Sequence, residues 1–322
     1  MLPVVRAADI DDASASAAWL IEPLWARAGV GILGGAPKCC KSWLALEMAI
    51  AVASHAPCLG AFDVGDAGSA LLYMAEDAAP VVKARLEGIG RHRGRGLADL
   101  PIHLILASAL RLDRAHDQGR LRDAVAKYAP RLLVLDPFVR LHRIDENDAG
   151  QVSAVLGYLR ELQRDHDVAV VVVHHARKGG AGGHVGQSLR GSGDFFAWAD
   201  SLLYMRRHRG RLLLTAEHRG APAPEPIALV LAGEEDPHLQ IDVDANPDPG
   251  RDETADSAPP LDQIVVEVLA QAEAPLTRPE LRARVRVRNE RLGEVLARLA
   301  ARGAIRRLGD RWGVPDSHSR SR

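Results

Sequence analysis

Residues 34–42 read Gly-Gly-Ala-Pro-Lys-Cys-Cys-Lys-Ser and directly follow the apolar run Val30–Leu33. A short buried strand, a loop of small residues and then Lys-Ser at the start of a helix is the arrangement of a phosphate-binding P-loop. In that arrangement the backbone N–H groups surround the phosphates, Lys41 neutralises their charge and Ser42 offers its hydroxyl to Mg²⁺. The stretch therefore predicts a nucleotide-binding core.

The loop departs from the usual pattern at one position. G-x-x-x-x-G-K-[ST] aligns with Gly35, Lys41 and Ser42, but Cys40 stands where the second glycine belongs. A left-handed residue other than glycine costs about 1–2 kcal/mol, so the loop either avoids that conformation at Cys40 or carries the strain. Cys39 and Cys40 also lie beside a lysine and at a predicted helix N-terminus. Both features lower the pKa of a thiol, and we expect one of the two thiols to be reactive.

Composition bounds the class of protein. The chain has 322 residues, of which 47% are hydrophobic, so we expect two domains and a large core. No apolar run reaches membrane-spanning length and residues 1–25 lack the pattern of a signal segment. Three cysteines provide no disulfide framework, which fits a reducing compartment. We expect a cytoplasmic protein with no membrane partner.

Apolar, β-branched runs alternate with helical patterns between residues 30 and 200, which predicts an α/β fold with a mainly parallel sheet. The expected strands are 30–35, 69–75, 102–107, 131–136 and 168–174, and the expected helices are 41–54, 78–90, 117–128, 149–165 and 191–199. Short strands at 201–207, 212–218, 226–231 and 239–243 then predict an antiparallel extension of the sheet.

The pattern changes after this core, which we place at residues 1–244. Residues 245–260 are polar and contain proline, as a linker would. Residues 261–315 predict a small domain with helices at 262–272, 278–284 and 288–302 and a hairpin formed by 304–308 and 311–314, which is a winged-helix pattern. Thr277 is expected to cap the second helix. Residues 316–322 are expected to be a disordered tail.

The predicted winged-helix domain is locally basic. Residues 282–311 carry ten arginines and three acidic residues, whereas the whole chain has a net charge of −1. Its arginines flank the expected third helix and the wing: Arg284, Arg286, Arg288, Arg291, Arg306, Arg307 and Arg311. They could contact duplex DNA, although a protein-docking role is also open.

Carboxylates end two of the predicted core strands. Asp136 follows the apolar run 132–135, and we expect its strand to lie beside the P-loop strand so that the carboxylate reaches Mg²⁺. Glu76 ends the second strand, where it can orient the water that attacks the γ-phosphate. The neighbouring Asp77 fits the N-cap of the following helix.

Polar residues also follow the fifth strand. One member of the pair His174-His175 can sense the γ-phosphate, while the other has a structural role. A zinc site is disfavoured, because only His184 lies nearby to complete it. The Gly-rich segment 179–193 is expected to be a loop that contacts DNA or a neighbouring subunit. An arginine supplied in trans would come from Arg190, Arg206 or Arg207.

Five segments taken together resemble a known family. They are the P-loop through Leu46, Leu-Tyr-Met-Ala-Glu-Asp at 72–77, Leu-Val-Leu-Asp-Pro at 133–137, Val-Val-His-His-Ala-Arg-Lys at 172–178 and Arg-Gly-Ser-Gly-Asp at 190–194. Over about residues 19–235 the chain resembles the RecA-like ATPases that include the plasmid replicative helicase RepA, which are AAA family ATPases. The winged-helix-like module is not part of this resemblance.

The resemblance implies a RecA-like core that assembles into a hexameric ring, with active sites between subunits and single-stranded DNA passing through the core. It implies ATP and Mg²⁺ as cofactors, Glu76 as the catalytic carboxylate, His174 or His175 as the sensor and Arg207 as the arginine finger. Arg85 resembles a core arginine of the same family. The residues expected to contact the nucleotide are Gly35, Ala36, Pro37, Lys38, Cys39, Cys40, Lys41, Ser42 and Trp43, with Ser42 and Asp136 at the metal.

We therefore expect an ATP-hydrolysing motor that acts on DNA in the replication or maintenance of a plasmid or mobile element, such as a RepA-type helicase. Two other hypotheses stay open. The protein is a nucleotide-switched DNA-binding regulator that unwinds nothing, or a scaffold that binds nucleotide without hydrolysing it. Stimulation of ATP hydrolysis by DNA distinguishes the first hypothesis from the other two.

Overall fold

The computed structural model describes residues 4–9, 18–146, 148–175, 193–208, 211–244, 261–272, 274–285 and 289–314. The chain divides into two compact units, Met1–Glu253 and Thr254–Arg322. The predicted linker 245–260, the tail 316–322 and the Gly-rich segment up to residue 192 lie outside the described residues, as do Arg190, Arg286 and Arg288. Among the described residues, no helix combines the length and apolarity needed to cross a bilayer.

A large sheet forms the centre of the first unit. Six of its strands run parallel, in the order β8-β3-β7-β6-β4-β5, and β9, β10 and β11 extend it in antiparallel fashion beyond β8. A separate antiparallel pair, β1 and β2, precedes it. The strands are β1 Trp19–Ile21, β2 Trp25–Ala26, β3 Val30–Gly35, β4 Ala70–Met74, β5 Ile102–Leu104, β6 Leu132–Asp136, β7 Ala169–His175, β8 Ser201–His208, β9 Arg211–His218, β10 Ile227–Ala232 and β11 His238–Ile241.

Helices cover both faces of this sheet, and this is why its central strands are apolar on both sides. Helices α1 and α2 pack with alternate strand residues such as Val171 and Val173 into one core, and α3, α4 and α5 pack with Val170 and Val172 into the other. Asp148 caps α4 by accepting hydrogen bonds from the backbone N–H groups of Gly150 and Gln151. The helices are α1 Lys41–Ser54, α2 Ala79–His92, α3 Ala115–Tyr128, α4 Ala149–His166 and α5 Gly193–Trp198.

The fold-class prediction is confirmed, with two corrections to strand pairing. The Asp136 strand, β6, does not lie beside the P-loop strand β3, because β7 lies between them. Strand β8, which we expected to open the antiparallel extension, pairs in parallel with β3. A helix, α5, separates β7 from β8, and a strand that follows such a crossover returns in the parallel direction. Strand β5 is also shorter than predicted.

The second unit has a core of its own. Its elements are α6 Leu261–Ala270, β12 Leu276–Thr277, α7 Arg278–Val285, α8 Asn289–Ala301, β13 Arg306–Leu308 and β14 Arg311–Gly313. The three predicted helices and the hairpin are present, and the unpredicted strand β12 pairs with β14. Thr277 and Glu280 form the expected cap, since the Glu280 carboxylate accepts from the Thr277 N–H at 2.8 Å and Thr277 Oγ1 accepts from the Glu280 N–H at 3.4 Å.

Candidate active site

The loop between β3 and α1 begins at a residue that must be glycine. Gly35 has φ of +148°, and a Cβ atom on it would lie 2.1 Å from the carbonyl oxygen of Met205 on β8. Strand β8 pairs directly with β3 and brings this carbonyl to the loop. The close approach of two backbones therefore explains the position that sequence reasoning aligned with the first P-loop glycine.

Cys40 carries the strain that its position implied. Its φ of 59° and ψ of 26° are left-handed, and Lys38 is also left-handed, with φ of 64°. The left-handed conformation costs about 1–2 kcal/mol at each of these two positions, because both residues have a Cβ. No side chain caps the N-terminus of α1, so its first N–H groups are directed at the loop with no side-chain acceptor. This is the arrangement that binds phosphate at a helix N-terminus.

Lys41 is buried inside the loop. Its Nζ donates hydrogen bonds to the carbonyl oxygens of Gly35, at 3.1 Å, and Ala36, at 2.9 Å. Burial lowers the pKa of Lys41 by penalising the charged form. A buried cation whose partners are two neutral carbonyls gains strongly from an anionic ligand, which is the role that the sequence predicts for it.

Ser42 and Asp136 meet at the start of α1. The Ser42 side chain hydrogen bonds to the Asp136 carboxylate, although burial dominates and raises the pKa of Asp136 to about 6. Glu76 and Asp77 raise this pKa further, so negative charge concentrates here. Mg²⁺ is bound by hard oxygen ligands such as these. The donor chemistry and the excess negative charge therefore fit the predicted magnesium site.

Glu76 lies just beyond the end of β4 and is half exposed. Its Oε1 is 3.3 Å from Nε of Arg140, and its Oε2 is 4.0 Å from Nε2 of His175. Because β4, β6 and β7 are parallel, Glu76, Asp136 and His175 all lie at the carboxyl edge of the sheet, where ligands bind in open α/β folds.

Asp77 does not cap α2, as we expected. The N-cap residue is Ala78 and has no side-chain cap. Asp77 instead pairs with Arg85, whose Nη1 lies 2.6 Å from one carboxylate oxygen and whose Nη2 lies 3.3 Å from the other. The Arg85 guanidinium also lies 5.1 Å from the centre of the Trp43 ring. A bidentate arginine holds the carboxylate more strongly than a helix N-terminus would.

The two histidines of β7 face opposite sides of the sheet. His174 is buried, with its ring centroid 4.8 Å from that of Phe195 and its Nε2 3.4 Å from the carboxylate of Glu146. His175 lies on the side of α1, toward Glu76, and burial lowers its pKa, followed by the charge of Lys41. Of the two sensor candidates, His175 is therefore the one beside Glu76, whereas His174 lies beside Glu146.

Arg207 lies near the P-loop of its own chain. Its Nη2 donates to the carbonyl oxygen of Lys38 at 3.4 Å, because β8 runs beside β3 and ends at the same edge. Strand alternation places Arg206 on the opposite face of β8.

A comparison with models of known protein families agrees with a nucleotide-binding loop in this chain. The family model described as an AAA domain, AAA_25, matches residues 1–181, which is more than half of the chain. The chain belongs to this AAA domain family. It carries the P-loop of a nucleoside triphosphatase at the edge of a mainly parallel sheet.

Three solved structures are similar to this AAA domain protein at low identity. One is an ATPase domain that is 15% identical, with a TM-score of 0.49, and the match covers 66% of this chain and 85% of that one. A DnaB-like replicative helicase, solved with its interactions with primase, is 16% identical, with a TM-score of 0.49 and coverage of 66% and 57%. The RadB recombinase is 17% identical, with a TM-score of 0.49 and coverage of 66% and 90%.

The expectation that the surroundings in the AAA domain lower the pKa of the thiol is wrong for Cys40. Burial raises the pKa of Cys40 and outweighs the opposing charges of Arg207 and Lys41. Cys39 is 1% exposed, and its Sγ lies 4.0 Å from the carbonyl oxygen of Pro37. The sequence showed the lysine and the helix N-terminus but not the degree of burial, which decides the direction of the shift.

Sequence reasoning missed two groups beside the site of the AAA domain. One is Arg140, which contacts Glu76. The other is Glu146, which bridges His174 and the buried His142 at 3.4 and 3.5 Å. Both residues lie in the segment between β6 and α4. The one signal in the sequence that could have indicated either of them is the position of Arg140, four residues after Asp136.

Proposed function

We propose that this protein is an ATP-hydrolysing, RecA-like motor that acts on DNA, as a RepA-type helicase or a related replication or maintenance ATPase of a plasmid or mobile element. The observation that carries the proposal is the convergence of Lys41, Ser42, Asp136 and Glu76 at one edge of one sheet. Membership of the AAA domain family supports the nucleotide chemistry.

Different residues serve nucleotide binding and the activation of the attacking water. Lys41, the loop N–H groups and the N-terminus of α1 would bind the phosphates, and Ser42 and Asp136 would hold Mg²⁺. Mg²⁺ supplies charge that offsets the phosphate oxygens. Glu76 orients the attacking water, and His175 senses the γ-phosphate from the neighbouring strand.

We further propose a homo-hexameric ring, with single-stranded DNA bound by the core and Arg207 compensating phosphate charge at the active site. The family resemblance assigns this arginine to the neighbouring subunit. We also propose that residues 261–315, in the second unit, form a winged-helix domain that contacts duplex DNA. The linker 245–260 would join this domain to the ATPase core at residues 1–244.

One observation favours a second candidate, a nucleotide-switched DNA-binding regulator without unwinding activity. The second unit has its own buried core and exposes Arg306, Arg307 and Arg311 on its hairpin. A separately folded unit with exposed arginines on its hairpin suits a regulator that binds a DNA duplex.

The test is ATP turnover by the full-length chain, with and without single-stranded DNA. Lys41→Ala should lose both nucleotide affinity and turnover, because Lys41 contacts the phosphates. Glu76→Gln should bind ATP normally and hydrolyse it at least ~100-fold more slowly, by analogy with the loss of other positioned catalytic groups.

A wild-type chain that hydrolyses ATP without any response to DNA would favour the regulator. Near-normal turnover of Glu76→Gln would remove Glu76 from the catalytic role. The native mass of the protein, measured with and without ATP and single-stranded DNA, tests the hexamer.

A further inference from the structure

Arg140 makes the ion pair with the carboxylate that the proposed function uses for water activation. Nε of Arg140 lies 3.3 Å from Oε1 of Glu76. The second carboxylate oxygen faces Nε2 of His175 at 4.0 Å. A glutamate that must turn toward water is therefore paired with an arginine of its own chain, and His175 lies beside it.

The turn that carries Arg140 is fixed, so the pairing is built into the fold. Phe138 is fully buried, with its ring centroid 5.1 Å from that of Phe195. The backbone N–H of Leu112 donates to the carbonyl oxygen of Leu141 at 2.6 Å. The Arg111 guanidinium donates to the carbonyl oxygen of Arg140 itself.

The side chain of Arg140, in contrast to its backbone, is open to solvent. The side chains of Arg140 and Glu76 are 59% and 46% exposed. An exposed ion pair of this kind is weak. It can restrain a carboxylate, but a competing ligand of higher charge can displace it.

Phosphate is the competing ligand that arginine geometry favours. The planar guanidinium binds phosphate through two parallel N–H groups, whereas its contact with Glu76 uses Nε. A nucleic-acid strand presents phosphates at high local density, and its binding to arginine also releases counterions.

We infer that Arg140 is a positioning residue that restrains Glu76 in the resting site, and that a phosphate of single-stranded nucleic acid frees Glu76 by binding Arg140. The inference rests on the proposed function, because it needs Glu76 to act in ATP hydrolysis. It adds a physical route by which DNA accelerates turnover.

The experiment measures turnover at saturating ATP in the full-length wild type, Arg140→Ala and Arg140→Lys, each with and without a single-stranded oligonucleotide. Arg140→Ala should raise DNA-free turnover about two- to five-fold, which is the range that a weak exposed pair can supply. Its stimulation by DNA should fall by the same factor. Arg140→Lys keeps a positive charge near Glu76 and should keep DNA-free turnover as low as in the wild type. It lacks the two parallel N–H groups that bind phosphate, so its stimulation by DNA should be weaker than that of the wild type.

Two controls separate positioning from a general structural effect. Arg143→Ala removes another exposed arginine of the same segment and should leave DNA-free turnover unchanged. In a Glu76→Gln background, Arg140→Ala should have no effect on the residual turnover, because the group through which it acts is missing. The unfolding temperature shows whether each variant is folded.

Unchanged or lower DNA-free turnover in folded Arg140→Ala, with stimulation by DNA retained, would overturn the inference and leave the ATPase proposal standing. A wild type that DNA does not stimulate would overturn the nucleic-acid release step. A wild type and an Arg140→Ala variant that are both unable to hydrolyse ATP would overturn the inference together with the proposed function.

Discussion

The residue with the most informative backbone is Cys40, which holds a left-handed conformation immediately before the lysine of the P-loop. Its Cβ makes that conformation costly, whereas glycine adopts it freely. The strain persists because the loop is held on both sides, by the β3–β8 contact at Gly35 and by the first turn of α1.

We predict that Cys40→Gly is more stable than Cys40→Ala by about 1 kcal/mol. Both variants remove the thiol, but only alanine keeps the Cβ that clashes in the left-handed region. Urea unfolding of the two variants measures the difference. Equal stabilities would show that the loop changes conformation at this position when the thiol is removed.

A second prediction concerns the pH dependence of the metal-free protein. Asp136 has a pKa of about 6 when folded, against a value of 3.8 when unperturbed. Its carboxyl group therefore supports the fold while protonated, and this contribution is lost as the pH rises through about 6. The difference of about two pKa units corresponds to about 3 kcal/mol.

Asp136→Asn should remove this loss and be the more stable protein above about pH 6. Burial lowers the pKa of His142 and His175, which gives a pH dependence of opposite sign, but that dependence is common to both proteins. The difference between their unfolding free energies, measured in urea across this pH range, isolates Asp136. A difference that is constant with pH would contradict the assignment.

At the scale of elements, the decisive arrangement is β8 beside β3. It brings Met205 to Gly35 and the Arg207 guanidinium to the carbonyl of Lys38. Arg206 lies on the other face of the same strand.

We predict that Arg207→Ala lowers ATP turnover and that Arg206→Ala, a matched loss of charge, does not. Equal turnover in the two variants would contradict a role that depends on which face of β8 carries the arginine.

A mixing experiment separates action within a chain from action between chains. Subunits with Arg207→Ala are combined with subunits that carry Lys41→Ala, each inactive alone. If Arg207 acts on a neighbour, some interfaces in mixed rings are intact and turnover returns. If it acts only on its own P-loop, no ratio restores turnover in rings shown to be mixed.

The elements themselves were predictable because buried parallel strands and amphipathic helices leave clear periodic patterns. The strand order was not, because inserting β7 between β3 and β6 is decided by the packing of whole crossovers rather than by any one segment. The P-loop, Asp136 and Glu76 could be predicted as site residues because their residue types lie at fixed offsets from strands. The contact of Arg140 with Glu76 and the Arg85–Asp77 pair depend on how the side chains of separate segments pack, which no offset along the sequence specifies.

At the scale of the whole molecule, the chain combines an ATPase unit with a small second unit that has its own core. The arginines of the second unit differ in their surroundings. Arg298 pairs with Asp262, at 2.5 Å from Nη2, and Arg311 Nη1 donates to the carbonyl of Pro275 at 3.0 Å. Arg284 and Arg306 are exposed, as Arg298 and Arg311 are, and they lie on α7 and on the hairpin.

We predict that the full-length protein binds duplex DNA through this second unit. The doubly substituted Arg284→Glu, Arg306→Glu protein should lose most of its affinity for duplex DNA and keep its DNA-free ATP turnover, because the residues of the active site belong to the other unit. Arg302→Glu, just after the end of α8, is charge-matched to each single substitution, Arg284→Glu and Arg306→Glu, and should have a smaller effect than either. Affinity of the wild type should fall steeply with salt, since phosphate contacts release counterions. Wild-type protein that shows no binding to duplex DNA at low salt, or a double variant that binds as well as the control, would instead assign the second unit to a protein partner.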